Sequence, residues 1–509
     1  MDLNLDMFKA YDIRTPARQL PPALSERLID AIACYFRDVL HTDKVVLSRD
    51  ARLTGAAYLE QGLRIFRDRG FTVYVNPQVS STCHFYYTCM RHSDAAGIMF
   101  GASHNPGKDT GLKIVGPRLQ PIAMQAGPKG GLDEIRSLYK SGQTLSVSGA
   151  GSVRFVNYLD DYIAYAMQMA GVGEGDLQGL RILADFLHGA AGEEFVRAFA
   201  LAGVDMDAVH AIPDGHFPAG PPNPVVESSI RSSLDRLACG GYDLAMFFDG
   251  DGDRLDLYSG DGVQVNPCFN FSILAPALEA AVAGGENFSV KDSANIFACI
   301  KANPLALLDI AQEGFGVTMI RNGHSQIKEA LRTGFAEGYF AAVEESGHYY
   351  CNMPLAGEWY ATENTLFFAL LSARFWKSSP DQYADKLKKQ REIQRVREWG
   401  YCFPGEAARS NALEWVEKEL AGEGVSIIRK MPDGTDLEAT LIRSGIPSVM
   451  LPGSGLDERW FQVAQRVSQS EKNLARWEVC ASHEAERDAC VATIEKAAAM
   501  FGGGEKYIG

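Results

Sequence analysis

The stretch AAGIMFGASHNPGKDTGLKIV, residues 95–115, is an apolar strand that runs directly into a polar turn. Residues 95–100 read as a buried strand, Gly101 and Ala102 leave room for a ligand, and Asn105-Pro106 stops regular structure from continuing. One hydroxyl, Ser103, is thereby placed at a strand exit, where a phosphoryl acceptor belongs, and Lys113 follows ten residues later, able to return to the same pocket. Alone, such a serine is as often a helix cap or a hydrogen-bonded turn.

A second strand exit changes the balance. The apolar run Leu244 to Phe248 leads into DGDGDR, so Asp249, Asp251 and Asp253 alternate with Gly250 and Gly252. Three carboxylates at a period of two converge from a short extended loop, and the glycines let the backbone bend around an ion. All-oxygen ligation suits a hard cation, here Mg2+. An EF-hand would need Gly at its sixth and Glu at its twelfth position, where this chain has Arg254 and Gly260, so calcium storage is set aside.

Working outward, strand-like runs alternate with helix-like segments over most of the first 380 residues, an α/β pattern. KVVLS (44–48), FTVYV (71–75), RILADF (181–186), LAMFF (244–248) and YFAAV (339–343) are the strands, with helices over 56–69 and up to Ala202. YFAAV leads into EESGH, so three polar motifs each follow a strand, as at the carboxyl ends of strands in open α/β sheets. The Gly/Ser-rich segment 141–152 and the turn-rich segment 259–267 read as linkers, and the charged helical segment 378–398 as a connector to a final domain. No Walker A loop is present, and GVGEGD (171–176) lacks the third glycine and a preceding strand.

With 509 residues the chain is too long for one core. A net charge of −15 argues against nucleic acid and against an anionic membrane surface, so an anionic substrate needs a local basic cluster. The N-terminus carries no secretory pattern and no apolar run reaches the roughly 18 residues of a membrane span, which implies a cytoplasmic protein. Ten scattered cysteines without CxxC pairs read as reduced thiols.

These motifs, taken in order, resemble the α-D-phosphohexomutase superfamily, in particular its phosphomannomutase/phosphoglucomutase branch. The resemblance is carried by FKAYDIR (8–14), SRDAR (48–52), ASHNP with Gly111 and Lys113, DGHFPAGPPNPVVE (214–227) and DGDGDR. It continues through Lys291, GHS (323–325), EESGH (344–348) and RWFQVAQRVSQSEKNL (459–474). It implies three similar mixed α/β domains plus a smaller α+β C-terminal domain around a central cleft, at 1–150, 151–262, 263–385 and 386–509.

The implied activity interconverts hexose 1-phosphate and hexose 6-phosphate, of mannose and/or glucose, through a phosphoserine and a hexose 1,6-bisphosphate that serves as intermediate and activator. Ser103 would carry the phosphoryl group, and Asp249, Asp251, Asp253 and an oxygen on Ser103 would hold Mg2+. Lys113 is the implied general acid/base, its pKa lowered by surrounding cations, with His104, Arg14 and Arg254 assisting. Lys291, His324, Glu344, Ser346 and His348 would bind the sugar, and Arg466, Ser468, Gln469 and Ser470 the distal phosphate. The implied partners are small sugar phosphates, not nucleic acid or membrane, and the chain would be a monomer or weak homodimer. A phosphoglucosamine or phosphopentose mutase is the neighbouring alternative, the phosphoglucosamine branch usually carrying Gln where Glu345 stands. A Mg2+-dependent sugar phosphatase or a bisphosphate-forming kinase-like enzyme using the same serine and aspartates is the other.

Three departures from the family pattern stand out. Gly101 replaces the usual Thr and is expected to enlarge the space beside the serine. Thr110 replaces Asn before Gly111, and Thr362-Glu363-Asn364 replaces Asp-Asp-Gly.

Overall fold

The computed structural model describes residues 3–146, 149–283, 294–468 and 472–508. Four β-sheets follow one another along the chain, and the first three share one strand plan. In the second sheet, Asp205–Val209, Arg181–Asp185 and Leu244–Phe248 are parallel, and Leu255–Ser259 and Gln264–Val265 continue antiparallel. The third sheet repeats this with Gly316–Ile320, Asn295–Cys299 and Tyr339–Val343, then Tyr349–Leu355 and Glu358–Glu363. The first sheet repeats it with Thr72–Val79, Lys44–Arg49 and Ala96–Phe100, then Asp109–Val115 and Ile13–Pro16.

Ser152–Phe155 adds a further parallel edge strand beside Thr72–Val79, so the first sheet runs on past the 141–152 segment read as a linker. The 259–267 segment is likewise no linker but the turn of a hairpin, in which Ser259 and Val263 bond across to pair Leu255–Ser259 with Gln264–Val265.

The central parallel strands are covered on both faces, which is why Ala96–Phe100 and Leu244–Phe248 are buried at every position and read as unbroken apolar runs. Helices supply the cover. Pro22–Asp38 starts with Pro in its first turn, where a missing N–H costs nothing, and buries Leu24, Leu28, Ile32 and Phe36 along one face. One continuous core joins the first three sheets, running from Val46 and Phe85 through Phe186 and Phe248 to Ile296 and Phe340.

The fourth sheet is antiparallel throughout, in the order Val425–Lys430, Asp436–Ser444, Phe461–Val467, Leu474–Ala481, Gln394–Cys402, Lys506–Ile508. Helices Glu406–Leu420 and Glu484–Met500 pack on it over a separate core built on Trp399 and Trp477. Among the described residues no helix is long and apolar enough to cross a membrane.

Between the first two units lies a small cavity of about 30 Å³ lined by His84 and Glu194, where Glu194 Oε1 and His84 Nε2 have no hydrogen-bond partner. Burial pushes the Glu194 carboxyl up to about 8 and His84 down to about 4. A carboxyl raised in the folded state is protonated there while the unfolded chain, near 4.5, is already ionised. Stability is therefore untouched below that value and falls as pH climbs towards 8. Glu194→Gln is expected to be more stable than the parent at pH 7, by on the order of 3 kcal/mol, and to melt at a higher temperature, with the two curves converging near pH 4.5. Equal melting temperatures across that range would show that the buried carboxyl costs nothing.

Candidate active site

Each repeated unit turns from parallel to antiparallel pairing at the same connection, between its third strand and the following one. Those connections are the Ser103 loop, the aspartate loop 249–253 and the loop 344–348. The core shared by the three units brings them together. Ser103 Oγ donates to Asp249 Oδ2 at 2.8 Å, and Arg254 Nε donates to His348 Nε2 at 3.0 Å. Contact this close needs bare backbone: a Cβ on Gly250 would stand 2.6 Å from the Ser103 carbonyl oxygen.

Ser103 is buried and holds φ = 47°, a left-handed conformation that a serine adopts at a cost of roughly 1–2 kcal/mol. Arg52, itself buried, keeps it there. Its guanidinium donates to the carbonyls of Ser103 (2.8 Å), Asn105 (2.5 Å), Pro106 (2.7 Å) and Asp109 (2.9 Å) and to Asp50 Oδ2 (3.1 Å). Asp50 in turn accepts from the Ala102 N–H. Gly101 does not enlarge the site. The space a threonine would need is filled by Asp50, whose Oδ2 lies 2.7 Å from where a Cβ would be.

Beside Ser103, the oxygens of Asp249, Asp251 and Asp253 gather within 4.8 Å of one another in a buried cluster. Burial and the adjacent Asp253 and Asp251 push Asp249 up to about 8, the response of carboxylates crowded without enough positive charge. Asp251 Oδ1 and Asp253 Oδ1 are buried without a hydrogen-bond partner. Two orphaned carboxylate oxygens beside a third carboxylate form the donor set of a hard divalent cation, so Mg2+ fits these residues.

Lys113 lies beneath, its Nζ 2.7 Å from Asp251 Oδ2 and 2.5 Å from Asp253 Oδ2. Burial would lower its pKa, but the two carboxylates win and hold it well above the ordinary lysine value. The expected lowering by a crowd of cations is thus reversed in the chain alone. His104 behaves oppositely: burial, with Arg254 and Arg14, holds it well below the usual histidine value. Its Nδ1 stands 3.3 Å from Ser103 Oγ and 2.9 Å from Arg254 Nη2, a neutral acceptor next to the hydroxyl. Arg14 reaches the same loop, bonding Asn105 Oδ1 at 2.8 Å while Asp12 holds its other side.

The sugar-loop residues divide. Glu344 is buried, accepting from Tyr350 Oη (2.6 Å) and the Gly323 N–H (3.3 Å). Ser346 is half-buried at the tip of the turn. Glu345 points away from the cleft towards Asn266, the Asn303 N–H and Arg395, so its identity says nothing about the sugar. His324 opens the helix His324–Gly334 with Nε2 buried and unbonded, beside the ring of Tyr11. His348 Nδ1 meets Glu363 Oε1 at 2.9 Å, and Glu363 Oε2 accepts from Lys328 at 2.9 Å. The departure at 362–364 therefore supplies a buried carboxylate that orients His348.

On the fourth unit, Arg466 grips Glu398 with a two-pronged bond of 2.7 and 3.0 Å, and the Ser468 N–H bonds the Leu474 carbonyl. Lys291, Gln469 and Ser470 lie outside the described residues. Lys301, which the sequence did not single out, follows the strand Asn295–Cys299 and comes within 3.8 Å of the same Glu398 carboxylate.

Residues 5–129 match the phosphoglucomutase/phosphomannomutase α/β/α domain I family, and residues 160–262 match domain II of the same family. A phosphomannomutase from Escherichia coli is 28% identical over 354 residues, covering 68% of this chain and 73% of the relative. These matches support the α-D-phosphohexomutase superfamily. The fold agrees over nearly the full length. A phosphoglucomutase/phosphomannomutase family protein from Burkholderia thailandensis superposes with a TM-score of 0.76 at 20% identity, covering 98% of each chain. An Aspergillus fumigatus N-acetylphosphoglucosamine mutase, solved with GlcNAc-6P and magnesium, superposes with a TM-score of 0.55 at 13% identity over 97% of this chain and 96% of that one.

In this chain, sequence reading gave no role to Asp50, Arg52, Lys301, Lys328, Glu363 or Glu398. Asp50 and Arg52 left a signal in SRDAR, where two opposite charges directly after an apolar strand must find partners at the strand exit, and Glu363 left one in the departure at 362–364.

Proposed function

We propose that the protein is a phosphohexomutase interconverting hexose 1-phosphate and hexose 6-phosphate, of mannose and/or glucose, through Ser103 and a hexose 1,6-bisphosphate. The observation that carries this is the hydroxyl of Ser103, strained, fixed by Arg52 and held 2.8 Å from a carboxylate of the aspartate cluster. Phosphoryl transfer needs little beyond such positioning and charge.

Asp249, Asp251 and Asp253, with an oxygen of phosphorylated Ser103, would hold Mg2+. When bound, Mg2+ neutralises charge on the transferred group and offsets the two carboxylates that keep Lys113 protonated. A sugar hydroxyl attacks the phosphorus on Ser103, the bond to Oγ breaks with its electron pair going to Oγ, and Lys113 in its neutral form takes the hydroxyl proton and returns one to Oγ. Arg254, bonded to His104, sets positive charge beside the leaving Oγ. Glu344 and Ser346 grip hydroxyls shared by both orientations of the bisphosphate, and Arg466 and Ser468 hold its distal phosphate. The turned intermediate then returns its other phosphate to Ser103. The GlcNAc-6P and magnesium bound to the Aspergillus relative support this substrate class and cation.

The test is a coupled assay of mannose 1-phosphate, glucose 1-phosphate, glucosamine 1-phosphate and ribose 1-phosphate side by side. Turnover of the first two is expected. A tenfold preference for glucosamine 1-phosphate, about 1.4 kcal/mol, reassigns the sugar and keeps the mechanism. Release of inorganic phosphate without isomerisation makes the protein a phosphatase. Arg466→Ala is expected to raise KM for the 1-phosphate and the 6-phosphate together, by about tenfold or more. A rise for one substrate alone removes Arg466 from the shared clamp.

A further inference from the structure

Two histidines stand side by side where neighbouring strands of the second sheet end. His188 and His210 follow the parallel pair Arg181–Asp185 and Asp205–Val209, and the His188 N–H bonds the His210 carbonyl at 3.0 Å. Leu187, His188 and His210 hold φ of 46°, 59° and 50°, left-handed values that residues with a Cβ adopt at a cost. Three such residues at one strand exit are the kind of stored strain that collects where side chains must be aimed.

Both rings are held through Nδ1. His188 Nδ1 stands 3.1 Å from the Ile212 carbonyl oxygen, and His210 Nδ1 stands 2.9 Å from Asp185 Oδ1. A carbonyl oxygen can only accept. Asp185, fully buried, likewise accepts from the Leu187 N–H at 2.9 Å and from Ser233 Oγ at 2.6 Å. Each ring therefore carries its proton on Nδ1 and its lone pair on Nε2. The ring centroids lie 4.6 Å apart with planes tilted by 39°. A single ion about 2 Å from both Nε2 atoms sets the centroids about 4.5–5 Å apart, which is the spacing present. His210 is 26% exposed, so an ion reaches it from solvent.

We propose that His188 and His210 chelate a borderline divalent transition ion, of the Zn2+ and Ni2+ class, with Asp185 as the outer carboxylate that orients His210. A carboxylate on Nδ1 fixes the tautomer and the ring direction and makes Nε2 the stronger ligand. Water completes the coordination. Imidazole nitrogen favours such ions, whereas Mg2+ takes oxygen ligands, so this pair and the aspartate cluster select different metals. The two sites adjoin, since the Ala190 N–H bonds the Gly250 carbonyl at 3.0 Å.

The experiment titrates Ni2+ calorimetrically, with Mg2+ in excess to occupy the aspartate cluster, into the full-length parent, His188→Ala, His210→Ala, the double variant and Asp185→Asn. The parent is expected to take up a Ni2+ that the double variant does not. Each single histidine variant is expected to bind it at least about tenfold more weakly, and Asp185→Asn about tenfold more weakly. Identical Ni2+ binding by the parent and the double variant overturns the proposal, because the ion then sits on other side chains. Single variants that keep the parent's affinity overturn it too, since the ion is then not shared between the rings. A folded Asp185→Asn that binds as tightly as the parent overturns it as well, because the carboxylate then orients nothing. If Asp185→Asn does not fold, the two histidine variants, which truncate half-buried side chains, decide by the same criteria.

Discussion

Ser103→Ala is expected to abolish interconversion, lowering kcat by at least about 10⁴-fold, because the Ser103 hydroxyl is the one that meets both the aspartate cluster and His104 among the described residues. The loss belongs to the chemistry rather than to the fold. Arg52 bonds the carbonyl of residue 103 and not its side chain, so alanine keeps the loop and melting should shift little. Peptide mass spectrometry of the parent after incubation with glucose 1,6-bisphosphate should locate phosphate on Ser103. A parent that turns over substrate and never carries it there has another nucleophile.

The second large effect is expected from Asp251→Asn, with kcat falling by about 10²–10³. Asp251 does three things at once: it offers an orphaned oxygen to a cation, accepts from Thr82 Oγ1 at 2.6 Å and pairs with Lys113. Asparagine keeps an oxygen for Thr82 but loses the charge that the other two roles require. Activity should also depend on added Mg2+ with weakened affinity. Full activity of the parent in excess chelator would falsify the metal assignment.

The sequence made the sheets legible where burial on both faces forces unbroken apolar runs, as in Ala96–Phe100, Leu244–Phe248 and Tyr339–Val343. Ser103 and the three aspartates were legible for a related reason. Polar residues packed directly after such strands have nowhere to be but the strand ends. What stayed hidden depends on contacts far apart in the chain. Lys113 was read as a lysine among cations, and only folding shows that Asp251 and Asp253, about 140 residues on, claim its charge. Gly101 looked like added space because Asp50, some fifty residues earlier, was not known to fill it. Glu398 and Lys301 lie about a hundred residues apart on different units, and only folding brings them within 3.8 Å.

The one strand plan used three times bears on how such a protein arises. A single ancestral unit whose hairpin end met copies of itself would already enclose a shared space, before any of the copies did chemistry. Specialisation then requires edits confined to a handful of residues at equivalent turns: a hydroxyl in one, carboxylates in another, a glutamate and a serine in the third. The sheets underneath carry no repeat visible by eye in the sequence, while their strand order keeps the shared plan.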